Sequence, residues 1–125
     1  MDKDPTTETR TEIVNLDYLK QVTDGNSDSL KEMLEIYLKQ TPQLIEGMKD
    51  GASKNNWELT RASVHSLIPS FFVMGFDPHY EQVARTIQQN AIQKKDLEQT
   101  AKMVDEIADI CSRACDEIRK VIAAL

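Results

Sequence analysis

The chain is poor in the residues that build sheets, staples and metal cages. Only 6% of its 125 residues are aromatic, and glycine and proline number four each, too few for the closely spaced turns of an all-β sandwich. Two cysteines and two histidines are present. Cys111 and Cys115 stand four apart in a strongly helical segment, which makes neither a disulfide framework nor the ligand set of a zinc site. No apolar run approaches the roughly 20 residues that span a bilayer, and the opening MDKDPTTETR lacks the apolar stretch of a secretory signal. A soluble, cytoplasmic protein without membrane contact is expected. Basic blocks are missing too: 15 Lys and Arg against 21 Asp and Glu leave a formal charge of -6, so nucleic acid is not an expected partner. Ser-His-Asp sets, glycine loops that cradle phosphates and histidine-containing metal spacings are all lacking. This argues against a turnover enzyme and for no metal.

What remains is helix. A chain of this length forms one domain. Residues 1–14 hold almost no apolar side chain before Ile13 and are expected to be a flexible polar tail. Residues 15–125 form the folded domain, divided by breaks near Gly25, Gly51 to Asn55, Gly75 to Pro78, and Lys94 to Asp96. The first segment, Leu16 to Thr23, is short and turns Leu16, Leu19 and Val22 to one side. The second, Ser27 to Asp50, repeats Leu30, Leu34, Tyr37, Thr41, Leu44 and Met48 at helical spacing behind an Asn26 or Ser27 cap, with a kink expected near Pro42. The third, Asn56 to Met74, opens on an Asn55–Glu58 capping box and stops at Gly75. The fourth, Pro78 to Gln93, has Asp77 as cap and buries Tyr80, Val83, Ala84, Ile87 and Ala91. The fifth starts at Leu97, after an Asp96–Gln99 cap, and runs a seam from Leu97 through Val104, Ala108, Cys111, Cys115 and Ile118 to Leu125. Four long amphipathic helices on short connections predict an all-α, antiparallel up-down four-helix bundle with a short additional N-terminal helix. Polar outer faces favour a monomer.

On a wheel of the third helix, Thr60, Val64, Leu67, Phe71 and Met74 define the buried stripe, and His65 points away from it. On the side of His65 lie Glu58, Arg61, Ala62, Ile68, Pro69 and Phe72. Three apolar side chains around an outward imidazole read as a docking surface, with Arg61 at its edge. The other candidates have ordinary explanations. His79 decorates a helix start, Cys111 and Cys115 act as small buried hydrophobes, Trp57 anchors its helix, and Met33, Met48, Met74 and Met103 fill the core.

The stretch from Trp57 to Gly75, WELTRASVHSLIPSFFVMG, resembles the signature helix of histidine-containing phosphotransfer (HPt) domains. His65, Leu67, Ser70, Met74 and Gly75 match that pattern by position, and Leu34 to Leu44 resembles the family's second helix. The likeness extends from Asn15 to Leu125. It implies that His65 is the phosphoacceptor of a two-component phosphorelay, taking a phosphoryl group from one receiver-domain aspartate and passing it to another. The implied partners are a response-regulator receiver domain and a hybrid sensor histidine kinase; no cofactor is implied, and the chain is a carrier, not an enzyme. The motif is atypical. His-x-Leu-Ile-Pro replaces the usual His-x-Leu-Lys-Gly, so Ile68 removes a positive charge beside the imidazole, leaving Arg61 as the cation to stand in. Pro69 removes an amide donor and should loosen the turn that presents His65. An alternative is a non-phosphorylated HPt-like module that docks a receiver or kinase domain through Ile68, Pro69 and Phe72.

Overall fold

The structure, a computed structural model, describes residues 11–125. It is all-α, with α1 (Asp17–Val22), α2 (Ser27–Ser53), α3 (Trp57–Val73), α4 (Pro78–Gln93) and α5 (Leu97–Ala124) and no β-strand among the described residues. α2 packs against α3 and α5, and α4 packs against the same two, so the four long helices close a ring. Their short connections make sequential neighbours antiparallel. This is the expected bundle, with α1 as the additional N-terminal helix.

Local signals set most of the ends. The Asn26 side chain accepts from the Ser29 amide at 2.9 Å, and Asp77 accepts from the His79 amide at 2.8 Å with Pro78 in the first helical position. The α3 cap lies one residue later than expected. Asn55 takes a left-handed φ of 57° and ends the turn, so Asn56 accepts from the Leu59 amide at 3.2 Å instead, while Glu58 turns to Arg61. The Asp96–Gln99 cap also fails: Asp96 is left-handed and makes no capping bond. Its carbonyl takes the Thr100 hydroxyl at 2.8 Å, and that hydroxyl accepts the buried Asn90 amide at 3.0 Å, pinning the α4–α5 turn.

α2 runs three residues past its expected end because Gly51 is a packing position and not a stop. A Cβ there would lie 2.3 Å from the Thr60 hydroxyl and 2.6 Å from the Asn56 carbonyl, and one at Gly47 would lie 2.5 Å from the Ser63 hydroxyl. The two glycines let α2 and α3 approach closely, and Thr60 donates to the Met48 carbonyl at 3.1 Å across the junction. Pro42 lies inside α2, which stays helical on both sides of it.

The core is built from Leu30, Leu34, Met48, Val64, Leu67, Phe71, Ile87, Val104, Ile107 and Ile118, all essentially removed from water. Each such side chain contributes about 1.5–3 kcal/mol of hydrophobic stabilisation. The α5 seam is buried from Val104 to Ile118 and opens at both ends, with Leu97 half-covered and Leu125 exposed. Leu44, Tyr80 and Val83 are half-buried, and Val22 is exposed, contrary to the side assigned to it.

The tail assignment needs correction at its end. Its residues 1–10 lie outside the described residues, but Ile13 and Val14 are core residues at 8% and 1% exposure. The Glu117 carboxylate accepts the amides of Ile13 and Val14 at 3.0 Å and the hydroxyl of Thr11, and Arg113 pairs with Glu12. The Asn15 amide then donates to the Met74 carbonyl at 2.9 Å. Two apolar residues in polar surroundings become buried because α5 supplies acceptors for the backbone they bring along.

Candidate functional site

α3 positions the site because it is gripped on two sides. It packs against both α2 and α4, so its buried arc spans Trp57, Thr60, Ser63, Val64, Leu67, Ile68 and Phe71, about 140° at 100° per residue. His65 lies outside that arc, about 130° from its middle and 60° beyond its Ile68 edge, and is exposed. Its imidazole makes no hydrogen bond or ion pair with the described residues. Pro69 follows one turn later, exposed, and cannot donate to the His65 carbonyl. α3 nonetheless stays helical to Val73.

Ile68 does not belong to the surface assigned to it. It is 7% exposed and part of the core cluster. It lies at the flank of the apolar stripe, about 40° from Val64 on the wheel, and a helix held by two neighbours buries that flank as well. Pro69 and Phe72 remain outside; Phe72 is 64% exposed. Its ring meets Tyr18 of α1 edge-on, with centroids 4.9 Å apart. Sequence reasoning missed Tyr18, which is 41% exposed. The available signal was its place in α1 beside the Leu16–Leu19 side and not on it.

Arg61 is half-buried, and its guanidinium is committed. Nε donates to the Glu58 carboxylate at 2.8 and 3.0 Å and Nη2 at 2.6 Å. These hydrogen bonds hold the Glu58 carboxyl below the usual carboxylate range and push Arg61 up. The pair is close to neutral, so Arg61 is not a free cation for His65. On the Ser66 side of α3, α2 and α3 leave an open groove of about 660 Å³, lined by Ile36, Lys39, Gln40, Gln43 and Leu44 of α2 and Ser66 of α3; His65 is not part of its lining.

The remaining candidates are structural. His79 is exposed with Nε2 3.6 Å from the Glu106 carboxylate, an ordinary surface contact. Cys111 and Cys115 are free and buried. Burial, then the neighbouring Cys115, pushes the Cys111 thiol up to about 12, and burial raises Cys115 as well; both thiols are therefore unreactive near neutrality. Trp57 is buried at 5% exposure, more than an edge anchor needs. Among the described residues no group of three or more His, Cys, Asp or Glu side chains could hold a metal ion, and no helix is long and apolar enough to cross a membrane.

No protein-family model matches the chain, and no curated protein matches it. Among solved structures it is similar to the HPt domain of a sensor hybrid histidine kinase from Shewanella, with a TM-score of 0.74 and 18% sequence identity over 98% of each chain. That likeness assigns the fold. The chain is an all-helical bundle with the fold of a histidine-containing phosphotransfer domain, and His65 lies on the outward face of its third helix.

Proposed function

We propose that the chain is a phosphoryl carrier of a two-component phosphorelay, with His65 as the acceptor. The supporting observation is an exposed imidazole without a partner among the described residues, set midway along a helix whose opposite face is locked into the core. A group that holds no other residue in place is free to meet a partner. In the proposed step a neutral ring nitrogen attacks the phosphorus of a receiver's aspartyl phosphate. The new N–P bond forms as the P–O bond to the carboxylate breaks, and the electron pair leaves with that carboxylate. The imidazole keeps its proton on the other nitrogen. The reverse reaction on a second receiver discharges the carrier. An exposed His65 can enter a partner's site, where the receiver supplies the metal and acidic groups. Partners are a receiver domain and a hybrid sensor kinase, met in the cytoplasm by a monomer.

A second reading, a docking module without phosphoryl chemistry, is favoured by one observation: Phe72 and Tyr18 expose an aromatic pair on the side of His65. One experiment separates the two. Phosphorylated receiver domains are incubated with the chain and with His65→Gln, and acid-labile, base-stable label is scored. Label confined to the unsubstituted chain is the expected result. Receivers that label another HPt domain but never this one, while still binding it through Phe72, would establish the docking reading instead.

A further inference from the structure

We propose that Glu117 of α5 is a positioning residue for the face that carries His65: it fixes the segment leading into α1 and thereby sets Tyr18 against Phe72. The inference rests on the reading above that a receiver meets the chain on the His65 side of α3. α1 has little hold of its own. It is six residues long with no side-chain cap at its start, under two turns and too short to be stable alone. The close packing between helices is among α2, α3, α4 and α5. Yet Tyr18 of α1 keeps its ring edge-on to the exposed ring of Phe72, with centroids 4.9 Å apart.

The segment before α1 supplies that hold, and Glu117 anchors it. One carboxylate takes three donors: Oε1 accepts the Ile13 and Val14 amides at 3.0 Å each, Oε2 lies 3.1 Å from the Ile13 nitrogen, and the Thr11 hydroxyl donates as well. Ile13 and Val14 are buried, so removing the acceptor of their amides makes the burial of the whole stretch unfavourable. From Val14 the chain crosses from α5 to the end of α3. The Asn15 amide donates to the carbonyl of Met74, two residues beyond Phe72, at 2.9 Å, and the Asn15 side chain accepts from the amide of Asp17, the first residue of α1, at 3.0 Å. Leu16 and Leu19 then enter the core, and Tyr18 between them turns to Phe72. A ring pair held in place before contact spares a partner the cost of ordering it. Other α5 carboxylates have different tasks: Glu106 faces His79 of α4, and Asp116 pairs with Arg119.

The test compares the full unsubstituted chain with Glu117→Ala, Glu117→Gln, Tyr18→Ala and Glu106→Ala. Three quantities are read: the nuclear Overhauser contact between the Tyr18 and Phe72 rings, transfer from a phosphorylated receiver domain as its concentration is varied, and labelling by phosphoramidate, a donor too small to need docking. Glu117→Ala is expected to lose the ring contact and to raise the receiver concentration for half-maximal transfer about fivefold, with the maximal rate and the phosphoramidate labelling changed less than about twofold. Glu117→Gln keeps an acceptor oxygen and should recover most of both losses. Tyr18→Ala should match Glu117→Ala in transfer, and Glu106→Ala should match the unsubstituted chain throughout. A ring contact that persists in Glu117→Ala, an equal loss in Glu106→Ala, or labelling by phosphoramidate slowed as much as transfer would overturn this inference alone. Tyr18→Ala that accepts from the receiver like the unsubstituted chain would overturn it as well and leave the carrier reading standing. An unsubstituted chain that takes no label on His65 from phosphoramidate, or from receivers that label another HPt domain, would overturn the carrier reading and this inference with it.

Discussion

Phe71 and Phe72 are the same residue at consecutive positions of one helix, and they have opposite surroundings. Phe71 is 1% exposed and stacks on Phe76 with ring centroids 4.9 Å apart, whereas Phe72 is 64% exposed and touches Tyr18. Residue type cannot account for this; the 100° step between successive residues does. One step toward the bundle axis turns a phenyl ring into core, and one step away leaves it available to a partner. The contrast extends along α3, with Val64 beside His65 and Ile68 beside Pro69 repeating the pattern of buried residue next to exposed residue. Residues on the inner face are held by stability and those on the outer face are free to be selected for another task.

The contrast can be measured by substitution. Phe71→Ala should lower unfolding stability by about 4 kcal/mol in urea denaturation, since it removes a fully buried ring and leaves a cavity. A loss below about 1 kcal/mol would mean that Phe71 is not the core residue described. Ile68→Lys follows, at about 3 kcal/mol, because it places a charge in an apolar site. Were Ile68 on the docking surface, the same change would be almost neutral and would strengthen contact with acidic partners. Gly75→Ala comes next, at about 2 kcal/mol. Gly75 has φ 69° at the end of α3, and a Cβ would lie 2.2 Å from the Asn15 carbonyl, so a thermal shift about half that of Phe71→Ala is expected. Phe72→Ala should cost less than about 1 kcal/mol and, if the proposed docking of a receiver domain uses this face, weaken that binding at least severalfold in titration calorimetry. Unchanged affinity would remove the aromatic pair from the interface.

The helices were legible because their signals are local. Asn26, Asp77-Pro78 and the heptad-like seam of α5 act within one or two turns, and the structure uses each of them. The outward position of His65 was equally legible, since it needs only the phase of the stripe. Ile68 was not. Whether the flank of a stripe is covered depends on how many neighbours grip the helix, which is a property of the assembled bundle. Gly51 was read as a stop because glycine ends helices, but its other property, the absence of a side chain, is the one used here. Ile13 and Val14 escaped for a third reason: their burial depends on Glu117, more than a hundred positions away.

The Glu117 carboxylate that receives the backbone of Ile13 and Val14 joins the beginning of the described chain to the last turns of α5. Such amides exchange with solvent only when their acceptor lets go, so terminal fraying at the two ends is a single event and not two. In deuterium exchange, Ile13 and Val14 should therefore decay together with the amides around Glu117 and more slowly than the exposed positions beside them. Two stretches more than a hundred positions apart thus hold one another closed, as a joint latch.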